Sequence, residues 1–177
     1  MPVIRIELPD LAATQRFGGL LAAQLKAGDV IALSGALGAG KSALARAIIQ
    51  AIDPNEDDVP SPTFTLVQHY LLADGTPLWH LDLYRIDDAQ DAMALGLDDA
   101  FVDAVCLIEW PDRLKKFLPK TNLSIYLHAG VTADDSDDSA DDTGLGSSVR
   151  FADVTAPPHW ADRITGLVAA ISAEADT

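Results

Sequence analysis

Eight consecutive residues, Gly35-Ala36-Leu37-Gly38-Ala39-Gly40-Lys41-Ser42, constrain this chain more than any others. They fit G-x-x-x-x-G-K-[ST], the phosphate-binding loop of nucleoside triphosphatases. Val30-Ile31-Ala32-Leu33-Ser34 before the loop has strand character, and Ser42 to Ile49 after it is rich in helix formers. Strand, Gly-rich turn and helix form the setting in which this motif works. Gly35, Gly38 and Gly40 open backbone dihedrals that are closed to residues with a Cβ. The loop N–H groups can then curl around an anion, with a helix N-terminus behind them. Lys41 is placed to reach the β- and γ-phosphates, and the Ser42 hydroxyl to ligate Mg²⁺.

A chain of 177 residues, 49% of them hydrophobic, is expected to form one domain with a sizeable core. No apolar run reaches the ~18 residues of a membrane span. Met1 to Glu7 has no signal-like apolar core. Cys106 is the only cysteine, so neither an intrachain disulfide nor a zinc cluster is expected. These features point to a cytoplasmic enzyme. Net charge is −15, from 27 acidic and 12 basic residues. Such a surface repels phosphate backbones, which argues against nucleic acid as a direct ligand. A bound nucleotide is a separate matter, because the loop supplies its own local positive field.

Periodicity and turn residues order the rest. Val3 to Leu8 reads as a strand and Leu11 to Lys26 as a helix, capped by Asp10 or Thr14. The loop's helix runs to about Ile52. Two prolines hold Val59 to Thr63 extended, and the chain then alternates as a strand to Tyr70. Ala73-Asp74-Gly75-Thr76 reads as a hairpin turn into an antiparallel strand, Leu78 to Tyr84. Asp87 to Phe101 reads as helix broken near Gly96. Ala104 to Ile108 reads as a buried strand ending at Glu109, and Asp112 to Phe117 as a short helix. Leu123 to His128 and Val149 to Val154 read as strands, and His159 to Ala173 as a C-terminal helix. Residues 133–148 carry six aspartates and no Lys or Arg, and are expected to form a mobile acidic insertion. The fold class implied is a three-layer α/β domain of P-loop type. Its mixed sheet has parallel core strands and antiparallel flanking strands.

A phosphate loop needs carboxylates for the metal and the attacking water. Glu109 ends an apolar strand, and Asp82 stands inside one. Either can be the direct metal or water-positioning group. Thr63 and Thr65 lie in a Pro-held segment where nucleotide switches place a hydroxyl that senses the γ-phosphate. Trp110, beside Glu109, is suited to shield the site, face a partner or pack in the core. His69, His80, His128 and His159 lack metal-ligand spacing and read as structural or surface residues. Cys106 reads as a buried, inert thiol.

Four pieces together resemble the TsaE (YjeE) family of bacterial P-loop ATPases. They are Leu33 to Ser42, Ser61-Pro62-Thr63-Phe64-Thr65-Leu66-Val67, His80-Leu81-Asp82-Leu83-Tyr84-Arg85, and Ile108-Glu109-Trp110-Pro111. They occur in the family's order over roughly residues 10 to 128. The resemblance implies an ATP- and Mg²⁺-dependent ATPase supporting threonylcarbamoyladenosine modification of the tRNA adenosine beside the anticodon. It further implies action with the TsaB–TsaD complex, contact with tRNA only through that complex, and no membrane association. It associates Ser42 and Glu109 with Mg²⁺, activity with Asp82, Thr63 and Trp110, and nucleotide contact with Thr14 and Arg150. Two departures stand out: Ala36 replaces a frequent acidic residue, and Ser42 replaces Thr while keeping the hydroxyl.

Other readings compete. A small-molecule P-loop kinase commonly holds phosphates with a lid of arginines, yet the seven arginines here are scattered singly. A GTPase needs an N-K-x-D-like motif, which Thr121-Asn122-Leu123-Ser124 does not supply. A nucleotide-sensing module without useful hydrolysis keeps the same binding residues and stays open.

Overall fold

A computed structural model of the chain describes residues 3–54, 62, 65–130 and 149–175. Seven strands form one sheet: β1 (Val3–Leu8), β2 (Val30–Gly35), β3 (Val67–Leu71), β4 (Pro77–Asp82), β5 (Val105–Glu109), β6 (Leu123–Ala129) and β7 (Arg150–Thr155). Their order is β1-β7-β6-β2-β5-β4-β3. The four central strands, β6-β2-β5-β4, are parallel. The flanks, β7 with β1 on one side and β3 on the other, pair antiparallel. In register, Leu33 and Asp82 each lie opposite Glu109. β4 and β5 therefore end level with each other, and β2 runs two residues further to Gly35, at the edge where ligands bind in open α/β sheets.

Successive strand residues point to opposite faces, and β5 shows both faces buried. Val105 and Leu107 belong to one core with Ile31, Leu33 and the helices α1 (Leu11–Ala22), α2 (Lys41–Ile52) and α5 (Ala161–Ala175). Cys106 and Ile108 belong to the other, with Val30, Leu81 and the short helices α3 (Ala89–Met93) and α4 (Leu97–Asp103). A 3₁₀ segment, Pro111–Phe117, adds Leu114 to that second core. Helices α1 and α2 cross closely at Gly18, where an added Cβ would lie 2.5 Å from the Ala47 Cβ.

Asp10 caps α1, its Oδ1 accepting from the Ala13 N–H at 2.6 Å. The helix ends at Ala22, four residues before the sequence-based expectation. Gln24 and Leu25 donate three residues back, to Leu21 and Ala22, which tightens the last turn. Asp29 then draws the chain away by accepting from the Lys26 N–H at 2.8 Å. The β3–β4 hairpin turns at Gly75 (φ 85°), and Asp74 Oδ1 accepts from the Thr76 N–H at 2.9 Å. Gly96 (φ 94°) separates α3 from α4 where the sequence places a break.

Arg163 on α5 forms a two-pronged ion pair with Asp29, at 2.6 and 2.9 Å, and donates to the Gln24 carbonyl at 2.8 Å. Its guanidinium lies 3.6 Å from the centre of the buried Trp160 ring. This clamp ties the C-terminal helix to the turn that feeds β2 and the loop. Thr63, most of the segment from Val59 to Phe64, and the 133–148 insertion fall outside the described residues.

Candidate functional site

The loop between β2 and α2 is built on backbone that excludes side chains. Gly35 has φ 138°, and a Cβ there would collide with the Leu127 carbonyl oxygen. Gly40 has φ 107° and starts α2 without a side-chain cap, so the first N–H groups of that helix are left to an incoming anion. Lys41, only 4% exposed, folds back over the loop. Its Nζ donates to the carbonyls of Gly35 (2.9 Å) and Ala36 (2.8 Å) and sits 4.0 Å from the centre of the Trp110 ring. Burial lowers the Lys41 pKa from its usual value, opposed by the charges of Glu109, Asp82 and Asp112. Leu37, at the loop's tip, is exposed.

Below the loop, Glu109 is 2% exposed at the end of β5. Each of its carboxylate oxygens has a separate partner. The Ser42 hydroxyl donates to Oε2 at 2.7 Å, and His80 Nε2 lies 3.0 Å from Oε1. Asp82, 5% exposed, is level with Glu109 on β4, and its Oδ1 accepts from the Tyr84 N–H at 3.0 Å. Trp110 takes a left-handed conformation (φ 59°, ψ 52°), which turns its indole over Lys41 and against Tyr84, ring centres 4.9 Å apart. Gly35, Ala36, Lys41, Ser42, Asp82, Glu109 and Trp110 thus gather at one strand-end edge. Leu37, Gly38, Ala39 and Gly40 form the arch above it.

The other expected positions distribute differently. The Arg150 Cδ lies 3.7 Å from where a Gly40 Cβ would stand, which brings β7 to the rim of the loop. Thr14 is buried in the first turn of α1, and its hydroxyl donates to the Asp10 carbonyl at 3.2 Å. Thr65 is an exposed turn residue, and Thr63 lies outside the described residues. Sequence reasoning reads His80 as structural or surface; it is fully buried, with its Nε2 against Glu109. The available signal was alternation: His80 and Asp82, two apart on one strand, share a face.

The site is a set of hard oxygens, a hydroxyl and carboxylates, beneath an anion-ready helix start and a lysine. Among the described residues no three His, Cys, Asp or Glu side chains group closely enough to cage a metal unaided. The donor set fits Mg²⁺, which keeps most of its waters and is bound through one or two carboxylates together with substrate phosphates. Among the described residues no helix is long and apolar enough to cross a membrane.

Comparison with known proteins gives a consistent picture. The family described as threonylcarbamoyl adenosine biosynthesis protein TsaE matches residues 8–136. The tRNA threonylcarbamoyladenosine biosynthesis protein TsaE of Haemophilus influenzae is 36% identical over 126 residues, covering 68% of this chain and 78% of that protein. The protein of the same name from Mycobacterium tuberculosis is 41% identical over 128 residues, covering 68% and 76% respectively. The crystal structure of YdiB from Bacillus subtilis superposes with a TM-score of 0.67 at 24% identity. It covers 95% of this chain and 97% of that one, and so shows a shared fold.

Proposed function

The chain belongs to the TsaE family of threonylcarbamoyl adenosine biosynthesis proteins, and on that premise we propose that it is a cytoplasmic, Mg²⁺-dependent ATPase. Its turnover serves the TsaB–TsaD complex in modifying the tRNA adenosine beside the anticodon. The observation that carries the ATPase reading is the bond from the Ser42 hydroxyl to Glu109. It brings the loop hydroxyl to the strand-end carboxylate, the two kinds of group that hold Mg²⁺ in P-loop nucleoside triphosphatases.

In this reading the loop N–H groups from Gly35 to Gly40 cradle the phosphates, and Arg150 borders the nucleotide. Thr14, in the first turn of α1, is the other residue assigned to nucleotide contact. Lys41 leaves the Gly35 and Ala36 carbonyls for the β- and γ-phosphates. Ser42 and Glu109 would hold Mg²⁺, which when bound would neutralise charge building on the phosphate oxygens. Asp82 orients water or the metal's own waters. Thr63 and Thr65 respond to the γ-phosphate, and the Glu109-Trp110 corner carries that state to the partner surface. With 15 net negative charges, the protein reaches tRNA only through its partners.

A nucleotide-dependent pull-down tests the coupling. TsaB–TsaD should be retained with ATP and Mg²⁺ and released with ADP. Retention that ignores the nucleotide would favour a free-standing hydrolase, and absence of any retention would return the kinase reading.

A further inference from the structure

We infer that His80 is a positioning residue for the Glu109 carboxylate: its Nε2–H holds Oε1, so that Oε2 alone faces Ser42 and the metal. The inference rests on the proposed metal role of Glu109 and adds a residue that the role does not include.

Three observations support it. The first is what surrounds His80. Along the same face of β4 and β5 its neighbours are Leu78, Val105 and Leu107, all in the apolar core under α1 and α2. A leucine would complete that layer, so the imidazole is its polar exception. The second is how the ring is satisfied. Nε2 meets Glu109 Oε1 at 3.0 Å, while the buried Nδ1 has no hydrogen-bond partner among the described residues. A buried polar atom left unpaired costs stability, so the ring is not arranged for its own satisfaction. Its one bond is to the carboxylate. The third is how Glu109 is divided. An ionised carboxylate only accepts, and here Oε2 accepts from the Ser42 hydroxyl while Oε1 accepts from His80 Nε2–H. With Oε1 held, the carboxylate cannot rotate to swap oxygens or chelate through both. Partners of this kind orient metal-bound groups, and their removal typically weakens metal affinity by about 10–100-fold.

Mn²⁺ binding, read by electron paramagnetic resonance in the presence of a β,γ-imido ATP analogue, tests this in the full chain. His80→Asn keeps an amide but draws it back from Glu109, and His80→Phe removes the donor while filling the space. Both should bind Mn²⁺ about 10–100-fold more weakly, with analogue affinity in EDTA unchanged. His80→Gln, whose Nε2 reaches as far as the imidazole's, should recover most of the loss. Wild-type Mn²⁺ affinity in folded Asn and Phe variants would overturn the inference. So would a Gln variant no better than Phe, or an equal fall in EDTA. If the wild-type protein binds no Mn²⁺ with the analogue, the metal reading of the whole site falls and this inference with it. A measurement on the unmutated protein makes the test independent of variant folding. The His80 Nε2–H resonance should move when Mg²⁺ is added to the analogue complex, and a resonance that stays put would also overturn the inference.

Discussion

The Ser42 hydroxyl donates to Glu109 Oε2 across 2.7 Å, joining the first turn of α2 to the end of β5 although the residues are 67 apart in sequence. Under the proposed function such a bond would pre-set both oxygens for a shared cation, because neither side chain would have to find a new rotamer on binding it. Replacing Glu109 by Gln keeps an acceptor for Ser42 and removes the charge. Nucleotide affinity should stay near wild type while kcat falls on the order of 10²-fold, since charge placed for the transition state is lost. Parallel equilibrium binding and turnover measurements check this; equal losses in both would assign Glu109 to ground-state binding instead.

Lys41 and Trp110 give a spectroscopic prediction. The ammonium lies 4.0 Å from the indole centre and is held by two loop carbonyls. Its transfer to a triphosphate withdraws a cation from the ring face. Adding ATP with Mg²⁺ should change tryptophan fluorescence in the wild type and do so far less in Trp110→Phe. A full signal in that variant would place the change at Trp79 or Trp160.

The Asp29–Arg163 clamp should matter to stability and little to chemistry. Arg163→Met leaves the Asp29 carboxylate, 4% exposed, without its cation. Breaking a buried pair from one side costs about 3–5 kcal/mol, to be read from urea unfolding. The folded fraction should retain wild-type kcat, because the clamp is on α5 and the β2 entry rather than at the strand ends. A loss below about 1 kcal/mol would rank the pair with surface ion pairs.

Burial pushes the Cys106 thiol up from 9.0 to about 12. Between those values the unfolded chain gives up its proton while the folded chain keeps it. The folded state therefore binds more protons, and stability falls as pH rises through that window, by up to about 1.4 kcal/mol per pH unit from this group. Below the window the thiol contributes nothing. Cys106→Ala should show a correspondingly shallower alkaline decline, and the native wild-type thiol should resist a disulfide reagent until urea exposes it. Rapid native labelling would contradict the burial.

Legibility in the sequence followed the range of the interactions. Gly35 to Ser42 declared itself because the loop's chemistry fixes residue types at fixed spacing. The central strand β5 was legible because both its faces are buried, and Val105 to Ile108 are therefore apolar without a break. The Gly75 turn and the Gly96 break are local backbone requirements. The His80–Glu109 contact was not legible because the partner is 29 residues away, and alternation shows which face a residue shares but not what lies opposite. The Asp29–Arg163 clamp spans 134 residues and left no trace in local pattern. The helix expected to reach Lys26 ended early because that distant pairing captures the turn after Ala22. Strand pattern and the phosphate loop's need for carboxylates singled out Asp82 and Glu109; that they lie directly opposite each other on neighbouring strands came only with the sheet register.

Steady-state ATP hydrolysis by the wild type and by Lys41→Ala, each with and without the TsaB–TsaD complex, tests the central claim most directly. The wild type alone should turn over slowly. Its rate should change when the complex is added: under the proposed function the partners would supply in trans groups that meet transition-state charge, an effect of ~10³-fold or more in other phosphoryl-transfer systems. Lys41→Ala should be inactive in both conditions while remaining folded. Hydrolysis that survives the loss of Lys41, or that is full in isolation and indifferent to the complex, would contradict the account.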